Sequence, residues 1–222
     1  MKEIFNMLPE GYLPLYHGGN MQKDDPLRSY SAASVEEVFS LHEQGVIRDY
    51  IYFAVPKSKA DIAAVIGKCR LVANSLQEIQ DINAVALEHN KPGYLEDMGL
   101  RVVPSRFDDG MQMGIPEAML PALAGKIKKM AGISVRGCFV QGGMMELTGV
   151  DLVDYFHESY QVVKRMTTLL PCNMFYFCLC DILDALEHER NLYPHTMEEI
   201  LHAAEIVGMQ NQTAFYARLL VE

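Results

Sequence analysis

Short apolar runs alternate with longer stretches of helical spacing along this chain, and that change of period is its first legible feature. The clearest case is 100–143. An apolar run, Leu100–Pro104, leads through a glycine-containing loop into a helical stretch, AMLPALAGKIKKM. A second apolar run, Ser134–Gln141, then closes on Gly142-Gly143. Strand, helix and strand in that order predict a βαβ unit, whose two strands lie parallel. Pro116 stands where a first-turn proline is tolerated, and Pro121 is an irregularity close to the helix start.

The rhythm extends to both sides. Ser34 with Glu37 makes a capping box for a helix that Gly45 can end. Asp49–Val55 (DYIYFAV), rich in aromatic and β-branched residues, reads as a buried strand. Ser58 with Asp61 starts a second helix, and Arg70–Asn74 forms a short strand. Ser75 with Glu78 then caps LQEIQDINAVALEHN, which Lys91-Pro92-Gly93 breaks. Past Gly143 the pattern predicts a helix from about Val150 to Leu169 and a buried strand over Asn173–Leu179, for which the start of a buried helix is the alternative. Helices follow from Asp181, with a break at Tyr193-Pro194, and Thr196 with Glu199 is expected to cap a last helix reaching about Leu220. The N-terminal end is less regular: Pro14 makes Tyr12–Tyr16 (YLPLY) a poor central strand. No repeat or linker divides the chain. The expectation is one α/β domain over 1–222, with an irregular segment at 1–28 and a helical part at 181–222. Barrel-like and doubly wound architectures both fit.

Composition narrows the partners. Half of the 222 residues are hydrophobic and 22% are charged, enough to bury a sizeable core. The net charge of −10 argues against nucleic acid and against an anionic membrane surface. No apolar run approaches the ~18 residues of a spanning helix. The opening, with Glu3, Pro9 and Glu10, lacks the apolar core of a signal peptide. A cytoplasmic protein is expected. Five cysteines in apolar segments suit reduced thiols. Cys172, Cys178 and Cys180 cluster without a C-x-x-C pair, and His188, His195 and His202 lack H-E-x-x-H spacing, so no metal is expected. No G-x-S-x-G elbow, Walker loop or G-x-G-x-x-G fingerprint occurs.

Three stretches carry a resemblance. Ser31–Gly45 (SAASVEEVFSLHEQG) is similar to a "VAS-x-x-E" strand-to-helix step. Ile51–Ile62 (IYFAVPKSKADI) resembles "IIFANPCKSPSDI", with Ser75–Ile79 (SLQEI) like the next "DS-x-x-EL" step. Leu100–Gly143 resembles "DTGM-x-R-x-GI … LPGL-x-V-x-GL-x-x-H" through Asp109-Gly110-Met111, Gly114-Ile115 and Ile133–Gly137. Together, over about Ser29 to Gly143, they resemble the barrel domain of the alanine racemase and ornithine/diaminopimelate decarboxylase superfamily, the fold-type III pyridoxal-phosphate enzymes. The resemblance implies a (β/α) TIM-like barrel, incomplete or decorated, with a helical C-terminus and ligands at the C-terminal strand ends. It does not by itself imply the activity. The family's imine lysine sits in a "YAVKAN" motif, and the nearest stretch here, LYHGGN, has Gly18 in its place. Gln112 and Met113 stand near the position of the loop arginine, and Gln141 that of the ring-stacking histidine. The phosphate-loop glycines have no counterpart in PCNMFYFCLCD.

The leading expectation is therefore a catalytically degenerate relative without cofactor, binding a small ligand or acting as partner or scaffold for another enzyme. The alternative is a pyridoxal-phosphate-dependent racemase or decarboxylase using Lys57, because "FAVPKSK" also looks like the "VAVSKTK" motif of small pyridoxal-phosphate-binding proteins. Solvated loop lysines explain Lys57 and Lys59 as well. The candidate catalytic residues are Lys57, His17 and Asp109. The candidate cofactor-binding residues are Lys57, Arg106, Gln141, Gly142 and Gly143. A plain turn accounts for His17 beside Gly18-Gly19, and a surface ion pair for Arg106 with Asp108 and Asp109. Fold-III relatives dimerise, so a homodimer is also expected, with the helix from Thr196 as one contact surface.

Overall fold

The computed structural model describes residues 2–17, 28–89, 91–110, 113–142, 148–170 and 172–222. The chain winds into a closed barrel of eight parallel strands. In chain order they are β1 (Tyr12–His17), β2 (Ser29–Ala32), β3 (Ile51–Phe53), β4 (Arg70–Ala73), β5 (Glu96–Val103), β7 (Ile133–Gln141), β8 (Tyr176–Cys180) and β9 (Arg218–Val221). A two-residue strand, β6 (Ile115–Pro116), adds to the end of β5. Helices α1 (Lys2–Phe5), α2 (Val35–Glu43), α3 (Lys59–Val65), α4 (Leu76–His89), α5 (Leu120–Ile127), α6 (Gly149–Leu169), α7 (Ile182–Leu192) and α8 (Met197–Ala214) complete the described elements. Among the described residues no helix is long and apolar enough to cross a membrane.

Strand alternation splits the core in two. On β3, Ile51 and Phe53 face the helices while Tyr52 and Ala54 face the lumen; on β8, Phe177 and Leu179 face outward while Tyr176, Cys178 and Cys180 face inward. Both sets are buried, which is why these strands read as continuous apolar runs. The lumen is filled by aromatic side chains: Tyr52 lies 4.9 Å from Tyr176 and 5.7 Å from Phe139, centroid to centroid. Two glycines make room for them. A Cβ on Gly137 would lie 2.0 Å from the Tyr176 ring, and one on Gly99 2.5 Å from its hydroxyl. The N-terminal end of the barrel is closed by charge. Arg70 bridges Asp49 (2.8 Å) and Asp97 (3.1 Å), and the Arg218 guanidinium stacks 4.5 Å above Tyr50.

Most predicted helix starts form as read. The Ser34 side chain accepts from the Glu37 N–H, Ser58 and Asp61 make a reciprocal capping box, and the Glu78 N–H donates to Ser75. Gly45, at φ +88°, follows α2 in the left-handed region that glycine tolerates. Four local readings need correction. Tyr12–His17 is a central strand despite Pro14. β9 pairs with residues 12–14 and β2 with 15–17, so the proline falls where one ladder hands over to the other. The segment 1–28 thus supplies the first barrel strand. The last helix stops at Ala214 instead of about Leu220, and Arg218–Val221 is the strand that closes the barrel against β1 and β8. Pro121, not Pro116, is the first-turn proline of α5; Pro116 lies on β6. Thr196 makes no side-chain cap to α8, because its hydroxyl bonds Glu189 (2.5 Å) and the Tyr193 carbonyl (2.7 Å).

Candidate functional site at the barrel mouth

Parallel strands bring their C-terminal ends to one rim, so the side chains that end each strand define the mouth. Gln141 ends β7 and lies in register with Cys180 at the end of β8. Its side chain is held from both sides: Arg101 of β5 donates to Oε1 at 2.6 Å, and Nε2 donates to the Asp181 carboxylate. The Arg101 guanidinium also lies 5.9 Å from the Phe139 ring centroid, so it rests on the aromatic fill of the lumen. Asp181 takes φ +59°, left-handed backbone at the first position after β8, which turns the chain sharply into α7. Beneath these groups, the Tyr155 hydroxyl of α6 donates to the carbonyls of Val140 (2.7 Å) and Cys180 (3.1 Å), tying the ends of β7 and β8 together.

On the other side of β8 sits Glu222. Its N–H donates to the Leu179 carbonyl and its own carbonyl accepts from Leu183, both at 3.1 Å, which extends the β9 ladder past its last strand residue. One ligand atom each of Cys178, Cys180 and Glu222 lies within 4.8 Å of the others. Burial raises the Cys178 thiol well above the ordinary range, with its hydrogen bond to Cys180 and the charges of Cys180 and Glu222 adding to it.

The sequence candidates do not converge on this rim as one constellation. Gln141 and Gly142 belong to it, and Gly143, Gly18 and Gln112 fall outside the described residues. His17 ends β1 and is solvent-exposed, in register with Ser31. Arg106 lies on the loop after β5 and pairs with Asp154 of α6, while Asp109, two residues past Phe107, is exposed. Lys57 follows β3 but reaches behind the strands. Its amine donates to the Val72 carbonyl at 2.7 Å and to Glu78 of α4 at 2.9 Å, and lies 5.5 Å from the ring of Phe53, which belongs to the outer core. Burial lowers its pKa, and the Glu78 carboxylate partly restores it. Lys59 pairs with Glu88 in solvent. Among the described residues no lysine lies on a barrel strand. Sequence reading missed Arg101, Asp181 and Glu222. The signal for Arg101 was parity, since it falls two residues after Gly99 on β5, and for Asp181 it was place, the first position after β8.

Cavities among the described residues flank the barrel in two places. One of about 240 Å³ lies between the start of α4 and α5, lined by Asn74, Ser75, Ile115, Met119 and Lys126. Another, of about 820 Å³, lies between the α1–β1 segment and α8. Among the described residues, none of the candidates named from sequence lines either.

A closed parallel barrel of this topology is the fold of the fold-type III pyridoxal-phosphate enzymes, as the sequence resemblance implied. Neither a protein-family model nor a curated protein sequence matches the chain. Solved structures do. Diaminopimelate decarboxylase of Helicobacter pylori, complexed with L-lysine, superposes at TM-score 0.67 and 16% identity over all of this chain. The arginine decarboxylase of Paramecium bursaria Chlorella virus, bound to agmatine, gives TM-score 0.70 at 15% identity. The chain spans only 58% and 60% of those two proteins. PipY of Synechococcus elongatus, with pyridoxal phosphate bound, matches 85% of this chain and 91% of its own length, at TM-score 0.61 and 11% identity.

An imine-bound pyridoxal phosphate needs an amine at the strand ends and groups to hold ring and phosphate. The described residues supply no such amine: Lys57 is committed to Glu78 behind the strands, and the Gln141 amide is committed to Arg101 and Asp181. They do not fit a covalently held cofactor.

Proposed function

We propose that this chain is a fold-type III barrel without the covalent cofactor chemistry, which binds a small polar ligand at its mouth or serves as partner to another enzyme. The observation that carries the reading is the mouth itself: toward the ends of β5, β7 and β8, Arg101, Gln141 and Asp181 stand in one hydrogen-bonded chain. A guanidinium and a carboxylate linked by an amide offer both donor and acceptor edges to a polar ligand, above a lumen filled by Tyr52, Phe139 and Tyr176. Gly18, where the family places its lysine, cannot form a Schiff base whatever its conformation. Self-association belongs to the same proposal, and a single-chain mass in light scattering across the micromolar range would dispose of it.

The competing reading, a pyridoxal-phosphate enzyme using Lys57, draws support from PipY, which binds that cofactor and matches most of this chain. Absorbance spectra before and after adding pyridoxal phosphate, followed by borohydride reduction and peptide mass mapping, separate the two. The proposal expects no saturable imine band and no reduced adduct. An adduct trapped stoichiometrically on Lys57 would overturn it.

A further inference from the structure

We propose that Cys178, Cys180 and Glu222 form a binding site for one thiophilic divalent cation of the zinc type at the barrel mouth. It is independent of the ligand-binding reading above, since neither result decides the other.

Three features build the site. Cys178 and Cys180 are alternate residues of β8, so both thiols face the lumen, and their residues are 0% and 1% exposed. β9 runs beside β8 with Leu220 opposite Cys178, so its continuation sets Glu222 beside Cys180 on the same inward side. The backbone of Glu222 is fixed at both its N–H and its carbonyl, so the carboxylate is presented from a rigid position. The three ligand atoms lie within 4.8 Å of one another. Tetrahedral zinc, with bonds of about 2.3 Å to sulfur and about 2.0–2.2 Å to oxygen, brings its ligand atoms to about 3.8 Å or less. Small side-chain rotations close that gap.

Soft thiolates with one carboxylate select zinc-type ions over magnesium or calcium, whose sites are all oxygen. Binding is written as one divalent cation displacing two thiol protons to solvent and forming two metal–sulfur bonds and one metal–oxygen bond. Two thiolates and a carboxylate then give the occupied site a net charge of −1. A compensating cation stands close: Arg101 is bonded to Gln141, which is the register partner of Cys180. Three protein ligands leave a fourth position for water or a ligand atom, the arrangement of open rather than closed zinc sites. The other thiols are excluded by place. Cys69 and Cys138 are buried in the outer core, and Cys172 is half-buried on the loop before β8.

The test uses the full chain, reduced and stripped of metal. Cadmium titration should raise a thiolate-to-metal charge-transfer band that saturates at one ion per chain, and zinc should displace it. Competition against a chromogenic zinc chelator measures affinity. Cys178→Ser and Cys180→Ser should each halve the band and weaken zinc binding by about tenfold to a hundredfold or more. Glu222→Gln should weaken zinc while keeping the two-thiolate band, and Cys138→Ser should change nothing. A missing band in the unaltered chain, or one that survives in the Cys178→Ser/Cys180→Ser double variant, overturns the proposal. Should the cysteine variants lose their far-ultraviolet circular dichroism, alkylation of the unaltered chain decides. Zinc must then slow iodoacetamide modification of Cys178 and Cys180, and equal rates with and without zinc sink the site.

Discussion

Gly137 and the Lys57–Glu78 pair show how tightly individual positions are constrained. Gly137 has ordinary strand backbone, so its lack of a side chain serves space: a Cβ there would lie 2.0 Å from Tyr176, on ring atoms that cannot swing away inside a packed lumen. Gly137→Ala is expected to destabilise the fold by about 3 kcal/mol, the upper end for overpacking, measured by urea unfolding. The Lys57–Glu78 pair is asymmetric. Glu78 keeps the Asn74 N–H (3.1 Å) and Asn74 amide as donors if the lysine is removed, whereas Lys57 without Glu78 is a buried charge with one carbonyl for company. Glu78→Gln should therefore cost about 3–5 kcal/mol and Lys57→Met distinctly less; equal losses in the two variants would contradict this. The pair also sets a pH dependence. Because the folded-state pKa of Lys57 is below its unfolded value, the unfolded chain holds more protons between the two, so stability from this group rises with pH across that window. Lys57→Met should flatten that alkaline rise in a series of melts. Sequence alone placed Lys57 correctly just after the strand in DYIYFAV, but not its direction, since a loop residue four positions past β3 has no fixed parity.

At the scale of elements, the strands that sequence reading found, β3, β4, β5, β7 and β8, are those that stand as apolar runs between stretches of helical spacing. β2 and β9 are four residues each, and β1 carries a proline. Residues 31–32 of β2 were visible through the family resemblance and not through periodicity. β9 was hidden because RLLV follows α8 without glycine or proline, so its apolar residues extend a helical pattern. The structure ends α8 by other means. Asn211 donates its side-chain amide to the Ala217 carbonyl at 2.8 Å, and Tyr216 takes φ +53°, the left-handed position glycine normally fills. Tyr216 is 84% exposed, so its ring contributes little there. Tyr216→Gly is expected to raise stability by about 0.5–1 kcal/mol through relief of backbone strain, visible as a higher melting temperature. A fall would mean the ring is covered in solution.

For the molecule as a whole, closure and the mouth were the parts least legible. β9, β1 and β2 are consecutive in the sheet, and they are the three strands the pattern missed or discounted, so the sequence supported an open sheet as well as a barrel. The mouth suffered in turn, since Glu222 falls on the lumen side only once β9 is known to be a strand. Shared architecture with the decarboxylases speaks for the fold alone, because the rim residues are set by the last position of each strand and the scaffold by the rest.

The β1–β9 ladder also bears on how the chain is made. A ribosome delivers β9 long after β1, with six other barrel strands between them, so until Arg218–Val221 emerges the nascent sheet has two open edges, β1 and β8. Unpaired apolar edges are the surfaces on which unfinished chains stick to one another. Loss of those four residues would leave not a slightly weaker barrel but an open, adhesive sheet, so the ladder that closes the barrel is also what hides its edges.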